Sequence, residues 1–216
     1  MARAGFFNYL REDITFSLIN RLPLKIDVGH AGEAYDAETD EDQLNVATLL
    51  LARNINMTFD GKMSKDANET LGRRLQTMQS TLPDHFLPYS DTIGVLNGSR
   101  FPSIWMLADC HVATAQYHLV AKSILEAYGV DHHNAQADLH NIAARICGLA
   151  FTSGSTPVLV NSFGPICFCS RYIATEPLRA EVIRRLQGCR KTTGWPVDRI
   201  ISDLQQYWRS GGGVEA

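Results

Sequence analysis

The chain lacks a block of basic residues, a glycine-rich phosphate loop, a strand-like alternation and an apolar run of membrane-spanning length. Each absence narrows its function. Of 216 residues, 20 are Lys or Arg and 23 are Asp or Glu, giving a formal net charge of −3. Affinity for nucleic acid comes first from clustered cations that neutralise phosphates, so this polypeptide is not expected to bind DNA or RNA directly. The longest aliphatic run, Val46 to Ala52, falls far short of a membrane span. Met1 to Phe7 runs straight into Asn8 and Arg11 without the apolar core of a signal peptide. No membrane partner is expected, and the protein is read as intracellular, in nucleus or cytoplasm. Cysteine is scarce and odd in number: Cys110, Cys147, Cys167, Cys169 and Cys189 lie in apolar helical surroundings, where a thiol acts as a small hydrophobe, and a reducing compartment fits.

Catalytic signatures are equally scarce. Ser153-Gly154-Ser155 follows a helical pattern instead of a strand, so it is not a nucleophile elbow. No glycine-rich loop ends in Lys-Ser or Lys-Thr. Cys167-Phe168-Cys169 has no second pair at zinc-ligand spacing, and residues two apart on a helix point to different sides. No cofactor, no metal and no catalytic residue are therefore assigned.

What the sequence does contain is helical periodicity. Phe6, Leu10, Ile14 and Leu18 form one apolar stripe, and Pro23 stops that helix. Leu44, Ala47, Leu51 and Ile55 mark a second helix, with Asp40 and Gln43 expected to cap its start. Ser64 opens a third, burying Ala67, Leu71, Leu75, Met78 and Leu82 before Pro83, and a surface loop with Pro88, Gly94, Asn97 and Gly98 follows. A long central helix is expected to carry Trp105, Ala108, Val112, Ala115 and Leu119 on one face and to close at a left-handed Gly129. Leu139, Ile142, Ala143, Ile146, Leu149 and Ala150 give the next helix. Thr156 is expected to cap, and Pro157 to fill the first turn of, an apolar segment through Ile173 that Gly164-Pro165 should kink or divide. Thr175 caps a helix burying Leu178, Val182 and Leu186. Pro196 starts the last, burying Val197, Ile200, Ile201, Leu204 and Trp208. The expected fold is all-α: one domain over residues 1–209, about eight amphipathic helices around a central hydrophobic one, with 210–216 as a tail.

Several strings resemble one family. They are Tyr9-Leu10-Arg11-Glu12-Asp13 with Arg21 to Asp27, Phe101 to Leu107 followed by His111, Gln116 to Leu119, Lys122 and Tyr128, Ile146 to Ala150, and Lys191 to Pro196 with Leu204 to Trp208. In this order, from about Phe6 to Trp208, they look like the regulatory domain of fungal zinc-cluster transcription factors, the "fungal-specific transcription factor" family. Members read DNA through a separate N-terminal cluster of six cysteines holding two zinc ions, which this sequence does not contain. The resemblance implies transcriptional regulation, including that of secondary metabolism, through contacts with other protein segments or subunits and with a small-molecule effector.

If an effector pocket exists, His111 and His118, seven apart on one helix, are its expected polar groups, with Trp105 and Tyr117 beside them. The bland reading is that each imidazole bonds a neighbouring carbonyl or carboxylate. Asp131, His132, His133, Asp138 and His140 resemble a loose acid-base group at a helix break, where solvated polar residues are ordinary. The cations Arg179, Arg184, Arg185, Arg190 and Lys191 read as a solvated face or a docking surface. The competing class is an enzyme without organic cofactor, a cyclase or isomerase of an apolar metabolite using His111, His118 or His140 as acid or base. Such an enzyme needs an enclosed apolar cavity, whereas a regulatory module needs filled helix interfaces and an exposed apolar patch.

Overall fold

A computed structural model describes residues 2–29, 37–92, 99–129 and 135–210. The first apolar stripe becomes α1, Ala2–Asn20, with Leu10, Ile14 and Leu18 fully buried and Phe7, not Phe6, as the sealed aromatic at its head. Arg21 turns the chain at φ 53°, and the Asp13 carboxylate accepts hydrogen bonds from the Lys25 and Ile26 amides, both 2.8 Å, which holds the outgoing strand of chain against the helix.

Helix α2, Asp40–Phe59, starts one residue earlier in its capping logic than expected. Thr39 is the cap: its hydroxyl accepts from the Asp42 amide at 3.2 Å while the Asp42 carboxylate accepts from the Thr39 amide at 3.3 Å, a reciprocal box. Asp40 is thereby the first helical residue, and its carboxylate is turned to other partners. Helix α3, Lys65–Thr81, is capped by Ser64 as expected and buries Leu71, Leu75 and Met78, with Ala67 and Leu82 only half-buried. One 3-10 turn, Asp84–Phe86, follows.

The expected central helix begins later than its stripe suggested. Ser103–Trp105 is a strand, β2, paired antiparallel with β1, Ser90–Thr92, so Trp105 is not helical. Ile104 turns inward over the following helix pair, and its amide donates to Thr152 Oγ1 at 3.2 Å. Helix α4 runs Asp109–Tyr128, and its buried side is Val112, Ala113, Tyr117, Val120, Ala121 and Ile124, with Leu119 at the edge. Gly129 ends it at φ −70°, so the left-handed closure expected there is absent. Gly94, Asn97 and Gly98 of the expected loop lie outside the described residues.

Helix α5, Ala135–Thr152, buries all six of its expected residues. Helix α6, Thr156–Cys169, has Ser155 and not Thr156 at its cap position, with Pro157 in its first turn; it contains Pro165 and is not divided there, and one further 3-10 turn, Ser170–Tyr172, extends it. Gly164 is where α6 meets α1: a Cβ at that position would stand 2.9 Å from the Thr15 Cα. Helix α7, Glu176–Thr193, buries Val182 and Leu186 and half-buries Leu178, and Gly194 closes it in the left-handed region, φ 73°. Thr175 sits at its cap position without a capping side-chain bond. Helix α8, Val197–Arg209, buries Val197, Ile200 and Leu204, with Ile201 and Trp208 half-buried.

The fold is all-α apart from the small hairpin. Helix α4 is its centre, packed against α2, α3, α5 and α6, while α1 covers α2 and α6, and α7 and α8 close over α6 and the 170–172 turn. One apolar core runs from Phe7 to Leu204, and a satellite of Ile104, Val112, Leu149 and Val158 seats the hairpin. Each fully buried Leu, Ile or Val in it contributes roughly 1.5–3 kcal/mol of transfer free energy. Among the described residues no helix is long and apolar enough to cross a membrane. Of the tail expected at 210–216, Ser210 sits at the C-cap of α8 and 211–216 lie outside the described residues.

Candidate functional site

The four side chains read as a pocket occupy separate environments. Trp105, on β2, is 37% exposed, whereas Tyr117 is 1% exposed within the core. The Tyr117 hydroxyl has no hydrogen-bond partner, and burial pushes its pKa up to about 12. His118 lines an open groove of about 430 Å³ between α3 and α4 with Asn68, Glu69, Gln76, Lys122 and Glu126. Its pKa is lowered, first by burial and then by the charge of Lys122. His111, in the first turn of α4, faces the start of α2 instead.

What the tertiary structure assembles around His111 has a different membership. Asp40 opens α2, His85 lies on the Asp84–Phe86 turn, and Cys110 and His111 lie in the first turn of α4. The Asp40 carboxylate bridges two imidazoles, with Oδ1 2.8 Å from His85 Nε2 and Oδ2 2.8 Å from His111 Nε2. His111 is sealed, its side chain 3% exposed, and Phe86 lies over its ring at 4.1 Å. The Cys110 thiol completes the group: ligand atoms of Asp40, Cys110 and His111 all lie within 4.8 Å of one another. Hydrogen bonding to His111, then to His85, holds the Asp40 carboxyl below the usual range. Burial, reinforced by Asp40 and Glu41, raises the Cys110 thiol. The sequence reading saw His111 and missed the site, because Asp40 and His85 are 71 and 26 positions away and no local spacing links them.

Two surface features complete the description. A groove of about 650 Å³ between α2 and α3 has Val46, Leu49, Leu50 and Met78 in its lining together with Arg53, Arg73 and Arg74. At the hairpin, Leu87, Tyr89 and Leu107 are 63%, 62% and 65% exposed beside Trp105.

Most other highlighted groups have structural partners. Cys147 and Cys169 are buried, with pKa values pushed up to about 12 by burial, and Cys167 is raised in the same way. His140 Nδ1 accepts from the Ala174 amide at 3.2 Å, while residues 131–133 lie outside the described residues. Arg184 and Arg185 bind Glu181, Arg190 binds Asp198, and Arg179 donates to the Ile173 carbonyl and stacks on Trp208. Ser155 donates to Asp109 at 2.8 Å. Comparison of the chain with family models, with curated proteins and with solved structures finds no match.

Proposed function

We propose that this chain is a helical regulatory module, built like the regulatory domain of fungal zinc-cluster transcription factors, that acts on transcription through protein contacts and not by reading DNA. The observation that carries the reading is the exposed apolar flank of the hairpin, Leu87, Tyr89, Trp105 and Leu107, on a body built around one continuous apolar core. Exposed apolar side chains gathered in one region are the usual mark of an interaction surface. Two of the buried polar side chains, Gln116 and Arg171, support this reading because they are engaged in structural bonds. Gln116 spans Ser162 and the Ile146 carbonyl, and Arg171 donates to the Phe168 carbonyl. The arginine-lined α2–α3 groove has the size and the mixed lining of a small-molecule effector site. The nucleus is the matching compartment.

The enzyme alternative draws on one observation, the partly buried His118 with its lowered pKa in the α3–α4 groove. The deciding experiment tethers the full chain to a heterologous DNA-binding module upstream of a reporter in a fungal host. The chain is expected to shift reporter output severalfold, and Tyr89→Ala with Leu107→Ala to return it to baseline at equal abundance. A well-folded tethered chain that leaves the reporter at the level of the DNA-binding module alone would refute the proposal.

A further inference from the structure

The geometry around Asp40 points to a metal centre: we infer that His85, His111, Asp40 and Cys110 bind one divalent ion of the zinc class. This stands apart from the regulatory reading and does not need it. The donor set is two imidazole nitrogens, one carboxylate and one thiolate, which suits zinc or cobalt and is poorly matched to magnesium or calcium. The charges also balance, because a carboxylate and a thiolate neutralise a doubly charged ion between two neutral rings.

The distances fit a coordination shell. With zinc–nitrogen and zinc–oxygen bonds of about 2.0 Å, donors at a tetrahedral centre stand roughly 3.3 Å apart. Both Nε2–carboxylate separations are 2.8 Å, each to a different oxygen, and the donors mutually within 4.8 Å are those of Asp40, Cys110 and His111, so the half-exposed His85 has to swing in to complete the shell. The Cys110 sulfur lies within 4.8 Å of the Asp40 and His111 donors, against roughly 3.5 Å between sulfur and nitrogen or oxygen in a tetrahedral zinc shell, so the thiol closes in as the ion binds. Three of the donors sit on first turns of helices, which fixes their backbones, and His111 is locked by Phe86. Access comes from the solvent side, where Asp40 and His85 are 45% and 46% exposed.

Binding exchanges protons in a definite way. Each Nε2 gives its lone pair to the ion and its proton moves to Nδ1 by exchange with solvent, which in His111 is a buried nitrogen without a partner and in His85 a half-exposed one. The Cys110 thiol releases its proton to water as the metal–sulfur bond forms, so uptake is favoured as pH rises. The ion would join the start of α2, the 84–86 turn and the start of α4, the anchors on either side of Leu87 and Leu107.

Cobalt tests this directly on the reduced full-length chain. An equimolar Co²⁺ titration is expected to give the near-ultraviolet thiolate-to-cobalt absorption with the visible bands of a tetrahedral site, displaced by Zn²⁺ and unaffected by Mg²⁺. Cys110→Ser should lose the thiolate band with helicity intact, and His85→Ala, at a half-exposed position, should weaken affinity at least about tenfold. Free Zn²⁺ should also raise the thermal midpoint of the wild-type chain. Absence of both the band and the zinc-dependent midpoint shift in wild-type protein would overturn the inference, as would a thiolate band that survives Cys110→Ser.

Discussion

Tyr117 carries a hydroxyl into the core and finds no partner for it, which makes it a costly residue rather than a helpful one. An unsatisfied buried hydroxyl costs about 1–3 kcal/mol, so Tyr117→Phe is expected to leave urea-denaturation stability unchanged or raise it by about 1 kcal/mol. A clear loss would mean that the hydroxyl has a partner after all. His118 makes a prediction of opposite character. Its folded pKa lies below the ordinary value of about 6.5, so the unfolded chain binds more protons in the intervening window. Its contribution to stability is therefore present above about pH 6.5 and is lost as pH falls towards the folded value. His118→Gln should flatten that part of the stability–pH curve, measured by denaturant titration between about pH 7 and about pH 5. At this scale the sequence was readable for hydrophobicity and poorly readable for polar partners. Nothing near Asp40 in the chain says that its carboxylate will meet His85 and His111.

Elements were legible where their period was long. Six of the α5 residues expected inside are inside, because a helix of 18 residues repeats its pattern over several turns. The hairpin was missed because three-residue strands are too short to display an alternation, and Trp105 fell on the helical stripe by coincidence of spacing. Caps carry the local signal, and several depart from expectation: Thr39 with Asp42 does what Asp40 with Gln43 is expected to do, Thr175 makes no capping side-chain bond, and Gly129 ends α4 outside the left-handed region. Thr39→Ala should cost about 1 kcal/mol of stability, read from the urea midpoint at unchanged slope. Gly164 tests the contact between elements. An added methyl would press on the Thr15 backbone, so Gly164→Ala should cost about 1–3 kcal/mol even though alanine is the better helix former. A neutral result would show that α1 and α6 can separate freely.

For the whole molecule, stability and surface function should separate. Leu51→Ala, in the sealed core, is expected to cost about 2–5 kcal/mol, whereas Tyr89→Ala and Leu107→Ala should each stay within about 0.5 kcal/mol in the same assay. Equal losses at both kinds of position would mean that the hairpin flank is part of the core. The chain by itself determined that the protein is a stack of one-sided helices, because burial of apolar faces is written at a spacing of three and four residues and needs no distant partner to be read. Only the tertiary structure decided which polar groups converge. Asp40, His85 and the Cys110–His111 pair belong to separate elements, and it took the packing of α2 against α4 to bring both imidazoles to hydrogen-bonding distance of Asp40 and the donors of Asp40, Cys110 and His111 within 4.8 Å of one another.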